Sequence, residues 1–411
     1  MQTSKKAAIG FIFITLFIDT MGWGIIIPVI PNLIAQLKHI PVNQASTYGG
    51  LLLTVFAIVQ FFCAPIIGNL SDRYGRRPVL LLSLFGFGID YIVQAVAPSY
   101  GWLFIGRVVA GFTGASFTTA SAYIADLSTD ETTRAKNFGM VGAAFGLGFV
   151  VGPALGSLLA VWGTRAPFWG AAGLCLLNCI YGYFVLPESL ARENRRKFEW
   201  KRANAFGSLQ FLTRHPEIGR LSVSFFLIYL AAQAVQSTWN YFTEFRFGWG
   251  PGMVGISLTV VGVLIGGVQA GLTRVVNPKI GNERSIYLGL SLYTLGLVLF
   301  AFAGQGWMMF VFLVPYCMGG IAGPSLQAVI SKHIGPTQQG ELQGALTGLM
   351  SLTTIIGPLI MNSTFAYFTS SKAPFYFPGI HFLIGAACML VSTLIAINVL
   401  GRERRQTATV G

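Results

Sequence analysis

Apolar residues run along this chain in long unbroken stretches that are separated by short polar turns. Most stretches reach the ~20 residues that a helix needs to cross a lipid bilayer, and none shows the short alternating segments of a membrane β-barrel. The pattern therefore predicts an all-α polytopic membrane protein with twelve transmembrane helices. The predicted spans are residues 7–31, 47–70, 78–97, 100–125, 135–162, 166–186, 218–243, 252–276, 285–303, 306–331, 338–362 and 375–400.

Composition agrees with this prediction and removes two alternatives. Of the 411 residues, 54% are hydrophobic and 10% are charged, and the mean hydropathy is +0.65. Soluble domains carry about 25% charged residues, so a soluble enzyme is excluded. The 33 Phe, 14 Tyr and 8 Trp exclude a disordered chain, because disordered chains lack this much apolar area.

The net charge of +13 is distributed unevenly over the predicted topology. Of the 27 Lys and Arg residues, twenty-two lie on the side of the N-terminus, four lie on the opposite side, and Arg107 lies within a span. Because positive residues accumulate on the cytoplasmic side, both termini are predicted in the cytoplasm. The membrane is predicted to be the plasma membrane, here a bacterial inner membrane. The basic run from Arg192 to Arg202 is then a topogenic loop, and nucleic-acid binding is not expected.

The longest hydrophilic stretch lies near the middle of the chain. It predicts an N-terminal half at 1–186, a basic cytoplasmic linker at 187–217, a C-terminal half at 218–400 and a cytoplasmic tail at 401–411. Three strings of the first half recur in degraded form in the second half. They are FFCAPIIGNLSDRYGRRPVLLLSL (61–84), which recurs as GGVQAGLTRVVNPKIGNERSIYLGL (266–290), AGFTGASF (110–117), which recurs as GGIAGPSL (319–326), and GFVVGPALG (148–156), which recurs as TTIIGPLIM (353–361). Such parallel six-span repeats resemble the organisation of major facilitator transporters, and chance similarity of apolar strings is the alternative.

The turn between spans two and three, GNLSDRYGRRP (68–78), combines glycines, an aspartate and arginines in an arrangement that a topogenic turn does not require. Gly68 is predicted to allow close approach of another helix, and Gly75 is predicted to allow a tight turn. Asp72 is an acceptor near the bilayer surface. Three arginines can pair with carboxylates or helix C-termini, and they are Arg73, Arg76 and Arg77.

This string resembles the signature loop of the major facilitator superfamily. Further strings resemble the tetracycline-efflux branch of its drug:proton antiporters over nearly the whole chain. They are DTMGWGIIIPVIP (19–31), IDYIVQ (89–94), GRVVAGFTGAS (106–116), AYIADLS (122–128), GLGFVVGPALG (146–156) and LQGALTGLMSLTTIIGPLI (342–360). The resemblance implies two six-helix halves that alternate access, with the loop as a cytoplasmic gate. In that gate Asp72 would face the N-terminal end of span eleven near Glu341, and Arg73 would pair with Asp126.

The string in span five resembles the motif of the antiporters. Its glycines let helices pack closely, and Pro153 bends the span. An ordinary kinked packing helix is an equally good interpretation of the same residues. The motif positions are Gly148, Gly152, Pro153 and Gly156.

Two carboxylates and one base lie deep in predicted spans, namely Asp19, Asp90 and Arg107. An embedded ionisable residue costs at least ~2.5 kcal/mol on insertion scales, so each is a functional hypothesis by default. Asp90 and Arg107 lie at equal depth on either side of one turn, about 10 Å below the outer surface at about 1.5 Å per residue, so they are predicted to pair. One hypothesis is proton coupling, which the resemblance favours, and the other is a static ion pair that orients helices.

The second half carries amides in place of embedded carboxylates. Gln233, Gln236 and Asn240 share helical spacing in span seven and predict one polar stripe, with Gln269 and Gln327 in spans eight and ten. They are candidate substrate ligands, and hydrogen bonding between helices is the alternative. Tetracycline antiporters have a carboxylate in span nine and a histidine in span eight, where this chain has Tyr293 and Ile265. This difference weakens the case for a metal–tetracycline chelate as substrate.

These observations together predict a proton-coupled exporter of an amphipathic organic compound, working by proton antiport. A proton-coupled importer and, further removed, a non-transporting membrane sensor are the alternatives. The partners expected are the small-molecule substrate, protons and the lipid bilayer. We expect a monomer that is not an enzyme, with no cofactor beyond the proton gradient. No metal site is predicted, because the five cysteines lie in apolar spans and resemble small hydrophobic residues.

Overall fold

A computed structural model describes residues 2–114, 116–127, 131–199, 207, 209–335 and 338–410. Within these residues the chain forms seventeen α-helices. In chain order they are α1 (Gln2–Ile26), α2 (Ile30–Lys38), α3 (Val42–Tyr74), α4 (Arg76–Val96), α5 (Tyr100–Thr113), α6 (Ser116–Leu127), α7 (Glu131–Leu159), α8 (Ala166–Val185), α9 (Gln210–Arg214), α10 (Pro216–Gln236), α11 (Trp239–Phe247), α12 (Pro251–Gly267), α13 (Thr273–Ala301), α14 (Gly306–Met318), α15 (Ala322–Lys332), α16 (Gln339–Phe368) and α17 (Ile380–Val410).

The helices reproduce the predicted spans. In the described part of the chain, 11 helical segments are long and apolar enough to cross a membrane, and Pro251–Gly267 is a shorter apolar helix. The eighth span is lengthened by the π-helical turn Val268–Leu272 and by the start of α13. Gly281, at φ 80° and ψ 162°, then breaks α13 and separates spans eight and nine. The predicted all-α polytopic fold is confirmed.

The chain divides into two compact units. Unit 1 comprises Met1–Pro41, Val55–Ala205 and Trp249–Gly262, and unit 2 comprises Val42–Thr54, Phe206–Gly248 and Val263–Gly411. Each unit therefore takes one short segment from the sequence half that supplies most of the other unit. The predicted division into halves, linker and tail remains a prediction.

The core of unit 1 forms where α1 packs against α4, α6, α7 and α8. Its fully buried side chains come from residues spaced by one helical turn on α1, such as Ile12 and Leu16, as expected for a helix face that packs on others. The cluster includes Phe11, Ile12, Leu16, Leu80, Ala120, Tyr123, Ile124, Val141, Ala144 and Leu186. This packing fixes the rotation of α1, the helix that carries Asp19.

Polar contacts position helices in unit 2. The hydroxyls of Ser224 on α10 and Ser392 on α17 lie 2.6 Å apart and are buried. Segment Val42–Thr54 packs on α16, where the Thr54 hydroxyl donates to the carbonyl oxygen of Ile355 at 2.9 Å. Such hydrogen bonds between helices are common in membrane proteins, where neighbouring apolar surfaces gain little from lipid exclusion.

Candidate functional site

The predicted pairing of the embedded charges in unit 1 is confirmed. Asp90 on α4 and Arg107 on α5 form an ion pair between Oδ2 and Nη2, and their exposed fractions are 0% and 4%. The two helices run antiparallel from the turn at Ala97–Ser99, which brings side chains at equal depth together. A buried pair of this kind is expensive to desolvate, so its geometry is held by other contacts.

Neighbouring residues that the sequence prediction did not include hold this pair. Gln94, one turn along α4, donates from Nε2 to the same Oδ2 of Asp90 at 2.9 Å. The guanidinium carbon of Arg107 lies 5.8 Å from the ring centroids of both Trp23 and Phe56. A Cβ at Gly106 would lie 2.6 Å from Asp90 Oδ1, so only glycine allows the carboxyl group to lie there. The spacing of Gln94 four residues after Asp90 was the available sequence signal.

The two oxygens of the Asp90 carboxyl group have different environments. Oδ2 accepts hydrogen bonds from Arg107 and Gln94, whereas Oδ1 is buried and has no hydrogen-bond partner within the described ranges. A proton on Oδ1 would leave the contacts of Oδ2 in place while removing the charge that attracts Arg107. The group can thus exist in two protonation states without rebuilding its surroundings.

Tyr91 connects this pair with the second embedded carboxylate. It lies within electrostatic range of Asp19, Asp90, Arg107 and Cys175. Its hydroxyl oxygen packs on Gly22 of α1, where a Cβ would lie 3.0 Å away. Gly22 is one helical turn from Asp19, so the structure brings Asp19 and Asp90 into one region of unit 1.

The antiporter-like motif on α7 packs on the backbone of α1. A Cβ at Gly148 would lie 2.7 Å from the carbonyl oxygen of Phe17, and one at Gly152 would lie 2.6 Å from that of Met21. Gly156 meets the carbonyl group of Ile25. Pro153 lies inside the helix and contacts Gly24 of α1, where a Cβ would lie 2.7 Å from Pro153 Cδ. The glycines are therefore close-packing positions beside the helix that bears Asp19.

The signature loop has the predicted turn but a different pairing. Gly75 adopts φ 107° and ψ 160°, a region open essentially to glycine alone. Arg76 pairs with Asp72 at 2.5 Å and with Asp126 at 3.2 Å. The predicted pair of Arg73 with Asp126 is wrong: the turn at Gly75 directs Arg76 to that carboxylate, and Arg73 lies over the ring of Tyr74 at 5.0 Å.

Two further expectations for this loop have different outcomes. A Cβ at Gly68 would meet no atom within 4 Å, so the close helix approach expected there is not found among the described residues. Arg77 donates to the carbonyl oxygen of Tyr183 at 2.6 Å, which ties the loop to the end of α8. The approach of Asp72 to span eleven remains a prediction.

The sequence prediction missed the part that Glu188 takes in this loop. Glu188 follows α8, and its carboxylate accepts from the backbone N–H groups of Arg76 at 2.8 Å and Arg77 at 3.3 Å. Carboxylates stabilise helix N-termini because the first N–H groups have no partner within the helix. Two further hydrogen bonds join the linker to the loop. The backbone N–H of Arg196 donates to the carbonyl oxygen of Asp72 at 3.1 Å, and Nδ2 of Asn69 donates to the carbonyl oxygen of Glu199 at 2.7 Å.

In unit 2 the predicted amide stripe is interrupted. Helix α10 ends at Gln236 and α11 begins at Trp239. At this break the hydroxyls of Ser237 and Thr238 donate to carbonyl oxygens one turn earlier, which is a common cause of helix bending. As a result Gln233 is buried, Gln236 is exposed and Asn240 is intermediate. The prediction that these three residues form one continuous stripe is wrong.

The other amide candidates have distinct settings. Gln269 is exposed on the π-helical turn Val268–Leu272, and such turns occur often at functional sites. Gln327 donates to Oε1 of Gln343 at 2.6 Å, a partner that sequence reasoning did not identify. Tyr293 packs edge-on against Tyr316 with ring centroids 4.9 Å apart. Unit 2 thus carries amides and phenols, and the assignment of the amides as substrate ligands remains a prediction.

Among the described residues, eleven membrane-length helices and one shorter apolar helix, a buried ion pair and a structured turn between spans two and three are typical of a polytopic membrane transporter. The chain belongs to the Major Facilitator Superfamily, whose family model matches residues 12–358 and 279–408. It is 40% identical to the class C tetracycline resistance protein of Escherichia coli over 377 residues, which are 92% of this chain and 93% of that protein. It is 35% identical to the class B protein of Escherichia coli over 398 residues, which are 97% and 96% of the two chains. The resemblance predicted from sequence is confirmed.

Solved structures of transporters share the fold. The human organic anion transporter MFSD10 (TETRAN) matches with a TM-score of 0.72 at 23% identity, covering 95% of this chain and 99% of that chain. The nucleoside transporter NupG matches with a TM-score of 0.75 at 12% identity, covering 96% and 99%. As a member of the Major Facilitator Superfamily, the protein is a multi-pass membrane transporter and not an enzyme.

Proposed function

We propose that this protein is a proton-driven antiporter that exports an amphipathic organic compound. The observation that carries the proposal is the buried Asp90–Arg107 pair, whose second carboxyl oxygen has no hydrogen-bond partner within the described residues. Such a group can take up a proton in one conformation and lose it in another, because burial opposes the charged carboxylate and a nearby arginine favours it. A transport cycle that changes the Asp90–Arg107 distance would then change its proton occupancy.

The proton step involves few atoms. A proton that binds Oδ1 of Asp90 neutralises the carboxylate and weakens the attraction of Arg107, which keeps its contacts with Trp23 and Phe56. When the ion pair forms again, the proton leaves Oδ1. A ligand or proton shifts a conformational equilibrium only by its differential affinity for the two states, and the ion pair supplies that difference.

The contact between α7 and α1 supports the coupling of this step to movement. Gly148 and Gly152 touch the backbone of α1 on either side of the level of Asp19. Because packed backbones without intervening side chains cannot shift independently, a movement of α7 displaces Asp19 relative to Asp90. This contact favours the antiporter interpretation of the motif over that of an ordinary kinked helix.

Export of an amphipathic compound is supported by the relatives. They are named tetracycline resistance proteins, and resistance by a transporter implies removal of the compound from the cell. Tyr293 and Ile265 replace charged groups at positions of the antiporters that the sequence resembles, so we propose a substrate recognised by amides and aromatic rings rather than as a metal chelate. The proposed ligands on unit 2 are Gln236, Asn240, Gln269, Gln327 and, from the structure, Gln343.

Reconstitution in proteoliposomes tests the proposal. The internal pH is followed while tetracycline and a set of amphipathic dyes are added, and Asp19→Asn and Asp90→Asn are compared with the wild type. We expect each variant to lose proton movement coupled to substrate, because an amide cannot exchange a proton, while substrate counterflow continues. Glu193→Gln, a change of an exposed linker carboxylate, is the matched control. Wild-type proton movement in both aspartate variants would reject proton coupling through these residues.

The sign of the pH change in the lumen decides whether protons and substrate move in opposite directions or together. Protons that leave the lumen when substrate enters it indicate antiport, whereas protons that enter with substrate indicate the importer alternative. We further propose that the protein acts as a monomer with both termini in the cytoplasm, which accessibility labelling of cysteines introduced near Lys5 and Arg405 in intact cells would test.

A further inference from the structure

Two buried polar side chains in unit 1 have no role in the contacts described so far. Thr15 on α1 is 0% exposed and Asn178 on α8 is 3% exposed. The Thr15 hydroxyl and both polar atoms of the Asn178 amide have no hydrogen-bond partner in the described part of the chain. Thr20 on the same helix differs, because its hydroxyl donates to the carbonyl oxygen of Leu16 at 2.9 Å. Buried polar groups are satisfied in nearly all proteins, by ordered water where protein atoms do not serve.

The packing of α1 against α8 places these two residues opposite each other. On one side of them, Phe11 packs on α8, where a Cβ at Gly182 would lie 2.5 Å from Phe11 Cζ. On the other side, Asp19 lies within electrostatic range of Cys175. Thr15 is four residues from both Phe11 and Asp19, and Asn178 lies between Gly182 and Cys175. Because consecutive spans alternate in direction, α1 and α8 are antiparallel, and these two contacts bracket Thr15 and Asn178 at the same level.

We infer that Thr15 and Asn178 form a buried water-binding site between α1 and α8, one helical turn from Asp19, and that this water exchanges protons with the Asp19 carboxyl group. The inference rests on the proposed proton antiport and assigns Thr15 and Asn178 as positioning residues for it. An amide and a hydroxyl together offer donors and acceptors to a water molecule, which needs two to four polar partners. The Asp19 carboxyl group is the next polar group along α1.

The proton transfer balances with solvent water as the only other reactant. A protonated Asp19 donates its proton to the oxygen of the bound water, which becomes hydronium, and the hydronium gives one proton to a solvent water that reaches the site, so that the bound water is restored. In the reverse direction, a hydronium ion of the solvent protonates the bound water, which then donates a proton to the Asp19 carboxylate and is restored. Asn178 and Thr15 keep their protons throughout and act only by holding the water in line with the carboxyl group.

The surroundings predict that this water exchanges slowly with bulk solvent. Phe11 closes one side against Gly182, and its ring lies 5.6 Å from that of Tyr181. Tyr91, which is 2% exposed, lies near the other side against Gly22. The titratable and charged groups nearest the site are Asp19 on α1, Asp90 and Tyr91 on α4, Arg107 on α5, and Cys175 and Cys179 on α8. Tyr181 on α8 lies beside Phe11, and Tyr123 on α6 belongs to the same core cluster as Phe11.

Radiolytic labelling detects such a water without a transport substrate. The full-length protein is exposed to a pulse of X-rays at intervals after mixing with H₂¹⁸O, and oxidation of Cys175 is followed by mass spectrometry. We expect the water whose oxygen is incorporated into Cys175 to exchange with H₂¹⁸O at least about tenfold more slowly than the water that labels exposed side chains, as for a buried structural water. Asn178→Leu and Thr15→Val should reduce this labelling. Oxidation of wild-type Cys175 by rapidly exchanging oxygen, or its absence, would overturn the inference.

Transport separates a positioning role from a structural one. Replacing a buried amide and the water it binds with an apolar side chain of similar size is nearly neutral or stabilising, so the thermal stability of Asn178→Leu should not fall. Gradient-driven accumulation of the dye that gives the largest proton signal should fall at least about fivefold, the effect of one lost buried hydrogen bond, and its pH profile should shift. Counterflow should stay within about twofold, because it needs no proton transfer. Thr113→Val, which removes a hydroxyl bound within its own helix, is the matched control.

The outcomes distinguish this inference from the proposed function. If Asp90→Asn abolishes proton movement while Asn178→Leu and Thr15→Val keep wild-type accumulation and pH profile, the water site is rejected and the antiport stands. If Asp19→Asn and Asp90→Asn also keep wild-type behaviour, the antiport itself is rejected. Should Asn178→Leu fail to insert, Thr15→Val, which preserves shape and removes one oxygen, decides the question.

Discussion

Each unit of this transporter has a glycine with positive φ in the turn that follows its second span, but the contacts around the two glycines differ. Gly75 in unit 1 has φ 107° and ψ 160°, and Gly281 in unit 2 has φ 80° and ψ 162°. At Gly75 the carboxylate of Glu188 caps the following helix, whereas a Cβ at Gly281 would meet no atom within 4 Å. The conformation of the turn has therefore been kept in both repeats, while the contacts that surround it have not.

The buried polar groups of the units show the same divergence. Unit 1 encloses an ion pair and a second aspartate, and unit 2 presents amides and the phenols of Tyr293 and Tyr316. Charges suit the exchange of protons, since protonation changes them, and neutral amides suit a substrate whose charge is not fixed. The comparison teaches that repeats of one fold can enclose chemically different groups, which is the basis for the proposed division of proton coupling and substrate recognition between the units. Four changes test this division.

The largest effect is expected at the ion pair. Arg107→Met leaves Asp90 buried without its partner and should reduce the free energy of unfolding by about 3–5 kcal/mol. Adding Asp90→Asn should restore most of that loss, because a buried pair replaced as a whole is often neutral. Thermal unfolding in detergent measures both variants. Wild-type stability in Arg107→Met would show that the pair does not lie in a low-dielectric site, and recovery of proton coupling in the double variant would contradict its role.

The next effect concerns the paired turns. Gly75→Ala and Gly281→Ala should each cost about 1–3 kcal/mol of stability, because alanine is strained at these backbone angles. Gly75→Ala should cost more, since its Cβ would collide with the Glu188 carboxylate and lie 3.0 Å from Nη2 of Arg195. Unfolding midpoints of the two variants are compared directly. Equal losses would mean that Glu188 and Arg195 of the linker move away from the added Cβ at little cost in stability. The two turns would then differ less than the structure indicates.

A smaller effect separates two glutamines of α10. Gln236→Ala should lower substrate affinity roughly fivefold, the value of about one hydrogen bond, with stability unchanged because Gln236 is exposed. Gln233→Ala should instead lower stability, since the buried Gln233 side chain packs on Gly357 of α16. Binding of the transported dye and thermal unfolding are measured for both. The reverse result, with affinity lost only in Gln233→Ala, would place the substrate on the buried face.

The smallest effect is at the linker. Glu188→Gln removes a charge from the N-terminus of α4, a contribution of about 0.3–1 kcal/mol at a partly exposed site. Hydrogen exchange at the amides of Arg76 and Arg77 should accelerate, and Glu193→Gln should leave those amides unchanged. Equal protection in wild type and Glu188→Gln would show that the cap contributes nothing and that the difference between the two turns has no energetic consequence.

Much of the site could be predicted because it depends on short-range geometry. Asp90 and Arg107 meet because one turn joins their helices, so counting residues from that turn gives their depth. The stripe of Gln233, Gln236 and Asn240 was wrong because helical spacing applies only within an unbroken helix. The break at Ser237 and Thr238 depends on hydroxyls that compete for backbone carbonyls, and serine and threonine occur in many spans that stay straight.

The sequence by itself determined the twelve spans, the family and the embedded charges, because a bilayer demands apolar length and makes every buried charge conspicuous. Only the tertiary structure decided which groups meet across helices that are distant in the chain. Arg76 rather than Arg73 reaches Asp126, Glu188 caps a helix more than a hundred residues earlier in the chain, and Phe11 packs on Gly182. The physical reason is that such contacts depend on the rotation and register of packed helices, which many weak contacts determine together.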